Sequence, residues 1–182
     1  MELLQFFANL LQGFTSWFPR PYLVNVTERA VLFRRGQPPI LKDPGFHWNT
    51  PLFSTYERYS LLRDPVKFPA ATLPTKDGKA IAIGFVIVWH IEPEDVVKAA
   101  TTADDLEAMI GEIGESLLPP LVLQHTFEEL LERVQGSRGM KTVNATLTED
   151  AQNLLEEYGV TIDSARVNFL APTRVLRLLQ GN

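Results

Sequence analysis

Thr75-Lys76-Asp77-Gly78, followed by Ile81-Ala82-Ile83-Gly84-Phe85-Val86-Ile87-Val88-Trp89-His90-Ile91, is the most regular stretch of the chain. Asp-Gly reaches positive φ at little cost, so residues 75–78 are expected to form a hairpin turn. Behind it one row holds Ile81, Ile83, Phe85, Ile87, Trp89 and Ile91, and the other Ala82, Gly84, Val86, Val88 and His90. Both rows are largely apolar, which predicts a central strand with something packed on each side.

Upstream, short β-type runs cover Leu23–Val26, Ala30–Phe33 and Tyr56–Leu62. Gly36, Pro38-Pro39 and the turn Asp43-Pro44-Gly45 punctuate them, with Phe46-His47-Trp48 and Pro51 following the turn. Downstream the period changes. Pro93 suits a first helical turn, with residues 95–100 continuing the helix. Thr102 with Asp105 suggests a capping box before the stripe Leu106, Met109, Ile110, Ile113 and Leu117, which Pro119-Pro120 is expected to end. Gly111 and Gly114 weaken that helix and permit close backbone contact. Thr126 with Glu129 predicts a second capping box, and a longer helix runs from Met140 through Val143, Leu147, Ala151, Leu154, Leu155 and Tyr158 to Gly159. A last strand over Val160–Leu170 and a short helix after Pro172 complete an α+β order: antiparallel sheet, helices, final strand.

An apolar segment precedes all of this. Leu3, Leu4, Phe6, Phe7, Leu10, Leu11, Phe14, Trp17 and Phe18 recur at helical spacing, and Glu2 is the segment's one charge before Pro19 and Pro21. A signal peptide would want a basic start and a small-residue cleavage site, and neither is present. Packing onto the domain's own core needs fewer large apolar residues than these nine. The remaining reading is a membrane anchor. At ~1.5 Å per residue such a helix reaches about 26 Å, just short of a ~30 Å hydrocarbon core, so it either spans a thinned bilayer or lies in the interface. Arg20, Arg29, Arg34 and Arg35 after it place the rest of the chain on the cytoplasmic side. Trp48, with Phe46, Leu52 and Phe53, is a candidate second lipid contact.

Composition narrows the chemistry. The 182 residues are 45% hydrophobic and 21% charged, with a net charge of −5 that disfavours general nucleic-acid binding. The chain has no cysteine, which excludes disulfides, thiolate chemistry and S-palmitoylation; Glu2 excludes N-myristoylation. The three histidines, His47, His90 and His125, have no i, i+4 pairing, so no metal site is expected. Acidic pairs such as Asp104-Asp105 and Glu128-Glu129 suit helix starts. Neither a nucleophile elbow nor a phosphate loop is found, so no catalytic or cofactor-binding residue is assigned and the chain is not expected to be an enzyme.

Several motifs in order carry a resemblance. They are Val26-Thr27-Glu28-Arg29-Ala30-Val31 leading to Arg35-Gly36, Pro44-Gly45-Phe46-His47-Trp48 with Pro51, Thr75-Lys76-Asp77-Gly78, Trp89-His90-Ile91-Glu92-Pro93, and Tyr158-Gly159-Val160. Over residues 22–171 the chain resembles the SPFH family of stomatin, prohibitin and flotillin. The resemblance implies an SPFH-type domain at 21–171, between an anchor at 1–20 and a short helix at 172–182. It also implies membrane lipid as a partner, homo- or hetero-oligomers with other SPFH subunits, and a membrane protease or channel as a restrained partner. Family members usually continue into a long coiled coil. Thr173–Gln180 reaches only about 12 Å, so joining longer partners is one expectation and low rings another. The alternative is a soluble adaptor or inhibitor whose apolar helix serves a partner groove.

Overall fold

The computed structural model describes Gln5, residues 18–136 and residues 142–173. The anchor positions from Leu3 to Trp17, Met140 in the long helix and the expected terminal helix beyond Thr173 lie outside the described residues. Among the described residues, eight strands and four complete α-helices divide into two compact units.

The first unit comprises the described residues up to Leu62 together with Ile91–Thr102. Strand β1 (Arg20–Val24) pairs antiparallel with β4 (Gly45–Asn49) as a two-stranded ribbon. Strand β2 (Glu28–Arg34) is central in a second sheet between β3 (Ile40–Lys42) and β5 (Ser54–Ser60). Helix α1 (Val96–Thr102) packs on β2 and β3. Pro93 stands in the turn before α1, and the first helical bond in this stretch runs from Ala99 N–H to Asp95 C=O at 2.8 Å. Ala30, Val31 and Leu32, at the middle of β2, are buried.

The second unit comprises Arg63–His90 and the described residues from Ala103 onward. Its sheet has the order β6 (Asp64–Pro74), β7 (Ala80–His90), β8 (Thr161–Pro172), all antiparallel. The expected hairpin is the β6–β7 turn, where Gly78 takes φ 76°. Helix α2 (Leu106–Gln124) packs on β6, and α4 (Val143–Leu155) on β8 and α2. Helix α3 (Phe127–Gln135) opens on the expected capping box: Glu129 N–H donates to Thr126 Oγ1 and Thr126 N–H to Glu129 Oε2.

Four expectations need correction. Pro119-Pro120 does not end α2, which runs on to Gln124. Each proline removes a backbone bond, at about 3 kcal/mol in a helix interior. Burial of Leu117, Leu118, Leu121 and Val122 offsets this, at about 1.5–3 kcal/mol per side chain. The cap of α2 is Asp105 alone, accepting from Ala108 N–H at 3.0 Å, rather than a Thr102–Asp105 box. The long helix ends at Leu155, and Tyr158 lies in a 3-10 turn, Glu156–Tyr158, that Gly159 closes. Finally, β7 is deeply covered on one face only. Ile81, Ile83, Phe85 and Ile87 are fully buried, whereas on the other face Gly84 is buried and Ala82, Val86 and Val88 are half-buried. Small and β-branched residues suit a pleated surface whether or not a layer closes over them, so the apolar pattern overstated the cover.

The β8 edge is closed by a helix. Asn144, Thr148 and Gln152 lie at i, i+4 and i+8 on α4, and their side-chain oxygens accept from the N–H groups of Val167 (3.0 Å), Ala165 (2.9 Å) and Ile162 (2.7 Å). Four helical residues rise ~6 Å and two strand residues ~6.6 Å, so the two spacings nearly match. The bulge at Asp163 takes up the extra residue before Ile162. Helix α4 thus stands where another strand would pair.

Candidate membrane-facing surface

The β1–β4 ribbon alternates from Pro21 onward. Tyr22 and Val24 face inward and pack with Ala30 and Tyr56. The Tyr22 and Tyr56 rings stack at 4.0 Å, and the His47 ring lies 5.5 Å from Tyr22. Burial, then the neighbouring Tyr56, pushes the Tyr22 hydroxyl above its ordinary pKa, so it stays neutral. His47 Nε2 meets the Asp43 carbonyl at 2.7 Å, pinning the turn in which Gly45 takes φ 143°.

The outward face holds Pro21, Leu23, Phe46 and Trp48. Leu23 lies opposite Phe46 and Pro21 opposite Trp48. Phe46 and Trp48 are each 60% exposed and Leu23 59%, with the two aromatic rings edge to face at 5.4 Å. Where Arg20 pairs with Asn49 the chain turns through Thr50–Phe53, leaving Leu52 and Phe53 exposed. Arg35 N–H donates to the Phe53 carbonyl at 3.2 Å, and Arg34 pairs with Ser54. Two exposed guanidinium-bearing residues therefore border the Phe53 tip. Apolar side chains rimmed by arginine form an amphipathic surface of the kind that partitions into a lipid headgroup layer.

Of the candidate lipid-contact residues, Phe18, Phe46, Trp48, Leu52 and Phe53 are described, and all five are exposed. Leu23 and Pro21 were missed as surface positions. The signal was their alternation with Tyr22 and Val24, legible only once β4 is known to cover one side.

Other candidate chemistry resolves into structure. His90 Nδ1 and Arg63 Nε both meet Asp163 Oδ2, at 2.9 and 3.0 Å, tying the ends of β6, β7 and β8 together. Burial opposes ionisation of Asp163, but these two donors hold its carboxyl below the ordinary value. Among the described residues no group of three or more histidines or carboxylates could hold a metal ion, and no helix is long and apolar enough to cross a membrane.

No curated protein matches the chain. The model of the SPFH domain / Band 7 family matches residues 22–176, spanning both units from Tyr22 onward. Members of that family are generally membrane-associated, non-enzymatic scaffolds. With motifs, element order and family match in agreement, this chain belongs to the SPFH domain / Band 7 family.

Proposed function

We propose that the chain is a membrane-associated scaffold subunit that holds lipid through its N-terminal apolar segment and through the outer face of the β1–β4 ribbon. The observation that carries this reading is the exposed row Leu23, Phe46 and Trp48, with Arg20 at the end of the same ribbon and Arg34 and Arg35 beside the exposed Phe53 turn. An exposed apolar row with a basic rim gains from burial in an anionic interface. On this reading the domain lies on the cytoplasmic side, oligomerises with itself or other SPFH subunits, and organises a membrane patch or restrains a membrane protease or channel. The anchor comprises Leu3, Leu4, Phe6, Phe7, Leu10, Leu11, Phe14, Trp17 and Phe18.

Trp48 is its own reporter. In a Trp17→Phe, Trp89→Phe chain, Trp48 emission is expected to shift to the blue on adding anionic vesicles and to be quenched by brominated lipid. Vesicle binding with unmoved Trp48 emission overturns the ribbon contact. Deleting residues 1–18 should release most protein from membranes; undiminished co-sedimentation refutes the anchor. A chain that stays soluble and monomeric without detergent supports the adaptor reading instead.

A further inference from the structure

Helices α2, α3 and α4 of the second unit enclose a groove of about 480 Å³. That volume falls in the range of small-molecule sites, about 300–1,000 Å³. Its apolar side is Leu117, Pro120, Leu121 and Leu154. Leu154 sits on α4 but remains 46% exposed, which the core does not explain.

Arg133 of α3 lines the same groove. The side chain is half-buried, and its Nε is out of solvent with no hydrogen-bond partner among the described residues. A buried donor left unmade costs about 1–3 kcal/mol, more on a charged group, so such groups are normally satisfied. Nε and an adjacent Nη donate side by side, the geometry that a carboxylate accepts with both oxygens. His125 stands nearby; burial, then the Arg133 charge, lowers its pKa, so near neutral pH the arginine carries the positive charge. Asp150 is the acid of the lining. It disfavours a multiply charged head such as a phosphate dianion.

We propose that this groove binds a small amphiphilic monocarboxylate, its head on the Arg133 guanidinium and its apolar chain against Leu117, Pro120, Leu121 and Leu154. The site does not depend on the ribbon face or on the membrane reading. It accounts for two features at once, an Arg133 Nε with no partner among the described residues and an uncovered leucine.

The test uses the full chain in nanodiscs, titrated with octanoate and followed by saturable change in melting temperature. Octanol and acetate serve as probes lacking the charge or the chain. Octanoate is expected to stabilise the protein saturably, and the other two are not. Arg133→Met should raise the midpoint concentration at least tenfold. Comparison with the unsubstituted chain at equal lipid removes partition into the bilayer. Leu154→Gln, at a position too exposed to threaten folding, should raise the midpoint several-fold, and Asp150→Asn should leave it unchanged or lower it. No saturable effect, octanol as effective as octanoate, or full affinity in the Arg133 variant overturns the assignment. So does a loss of binding in the Asp150 variant, which would mean that the ligand presents a cation there.

Discussion

The two units manage exposed apolar surface in opposite ways. Eight of the twelve exposed large apolar side chains among the described residues fall in the first unit: Phe18, Leu23, Val26, Phe46, Trp48, Leu52, Phe53 and Leu62. The second unit closes its sheet. Its β8 edge is met by the Asn144–Thr148–Gln152 ladder, and its β6 edge strand carries Pro65, Pro69 and Pro74, which have no N–H to offer a neighbour. A chain that seals one sheet so thoroughly does not leave a Leu-Phe-Trp row open on another for want of polar residues. The contrast supports reading the ribbon face as a contact surface.

The largest effect is expected from removing the open row. Phe46→Ser with Trp48→Ser gives up two aromatic side chains worth about 1.5–3 kcal/mol each on burial, so vesicle affinity should fall on the order of a hundredfold or more. The melting temperature should barely move, because both rings already stand in solvent. Vesicle titration and calorimetry on the same variant check both halves. A large stability loss with unchanged affinity would assign the row to folding and erase the contrast.

Next comes the packing of the closed unit, where two glycines of one helix should behave oppositely. A Cβ on Gly114 would run into the tip of the Phe68 ring, which stacks on Phe85 at 4.1 Å and resists tilting. Gly114→Ala is expected to cost about 1–3 kcal/mol from overpacking, against a helix-propensity gain of about 1 kcal/mol. Gly111 has nothing within 4 Å, and Gly111→Ala should stabilise by about 0.5–1 kcal/mol. Urea denaturation of the two variants decides the matter by sign.

The edge ladder tests the same unit more locally. Thr148→Val keeps the side-chain shape and removes the acceptor for the buried Ala165 N–H, leaving an orphan donor worth about 1–3 kcal/mol. Amide exchange at Ala165 should quicken well before that of the β7 core. If exchange there is unchanged, the edge is protected by cover rather than by hydrogen bonding.

Much of this was legible from local chemistry. The Asp77-Gly78 turn and the Thr126–Glu129 capping box are determined by a few adjacent residues, and so is the αL glycine Gly159 that closes the 3-10 turn after α4. What depends on distant cover was not legible. Pro119-Pro120 reads as a stop until the burial of Leu117 and Val122 is known. Gly111 and Gly114 look alike until Phe68 arrives from 46 residues upstream of the latter. The ribbon face was half legible: Trp48 and Phe46 stood out as aromatics in a turn, whereas Leu23 was one apolar residue in an apolar strand. The groove at Arg133 was invisible, because its walls come from three helices and its signal is a missing partner.

The smallest effect expected is also the sharpest check on the hairpin that positions β7. Asp77 accepts from Thr75 Oγ1 at 2.5 Å and pairs with Lys79 Nζ at 3.0 Å. The Thr75 hydrogen bond first, and Lys79 after it, lower its pKa from 3.8 to about 2. A carboxyl whose folded pKa lies below its unfolded value adds stability at pH above the unfolded value, near 4, and loses it as pH falls through about 2. The side chain is open to solvent, so screening keeps the contribution small. Asp77→Asn should therefore lower stability slightly at neutral pH and converge on the unsubstituted chain as the acid limit is approached. Parallel curves at all pH values would mean that Asp77 acts through turn geometry alone, since asparagine keeps an acceptor oxygen for Thr75 but no charge for Lys79.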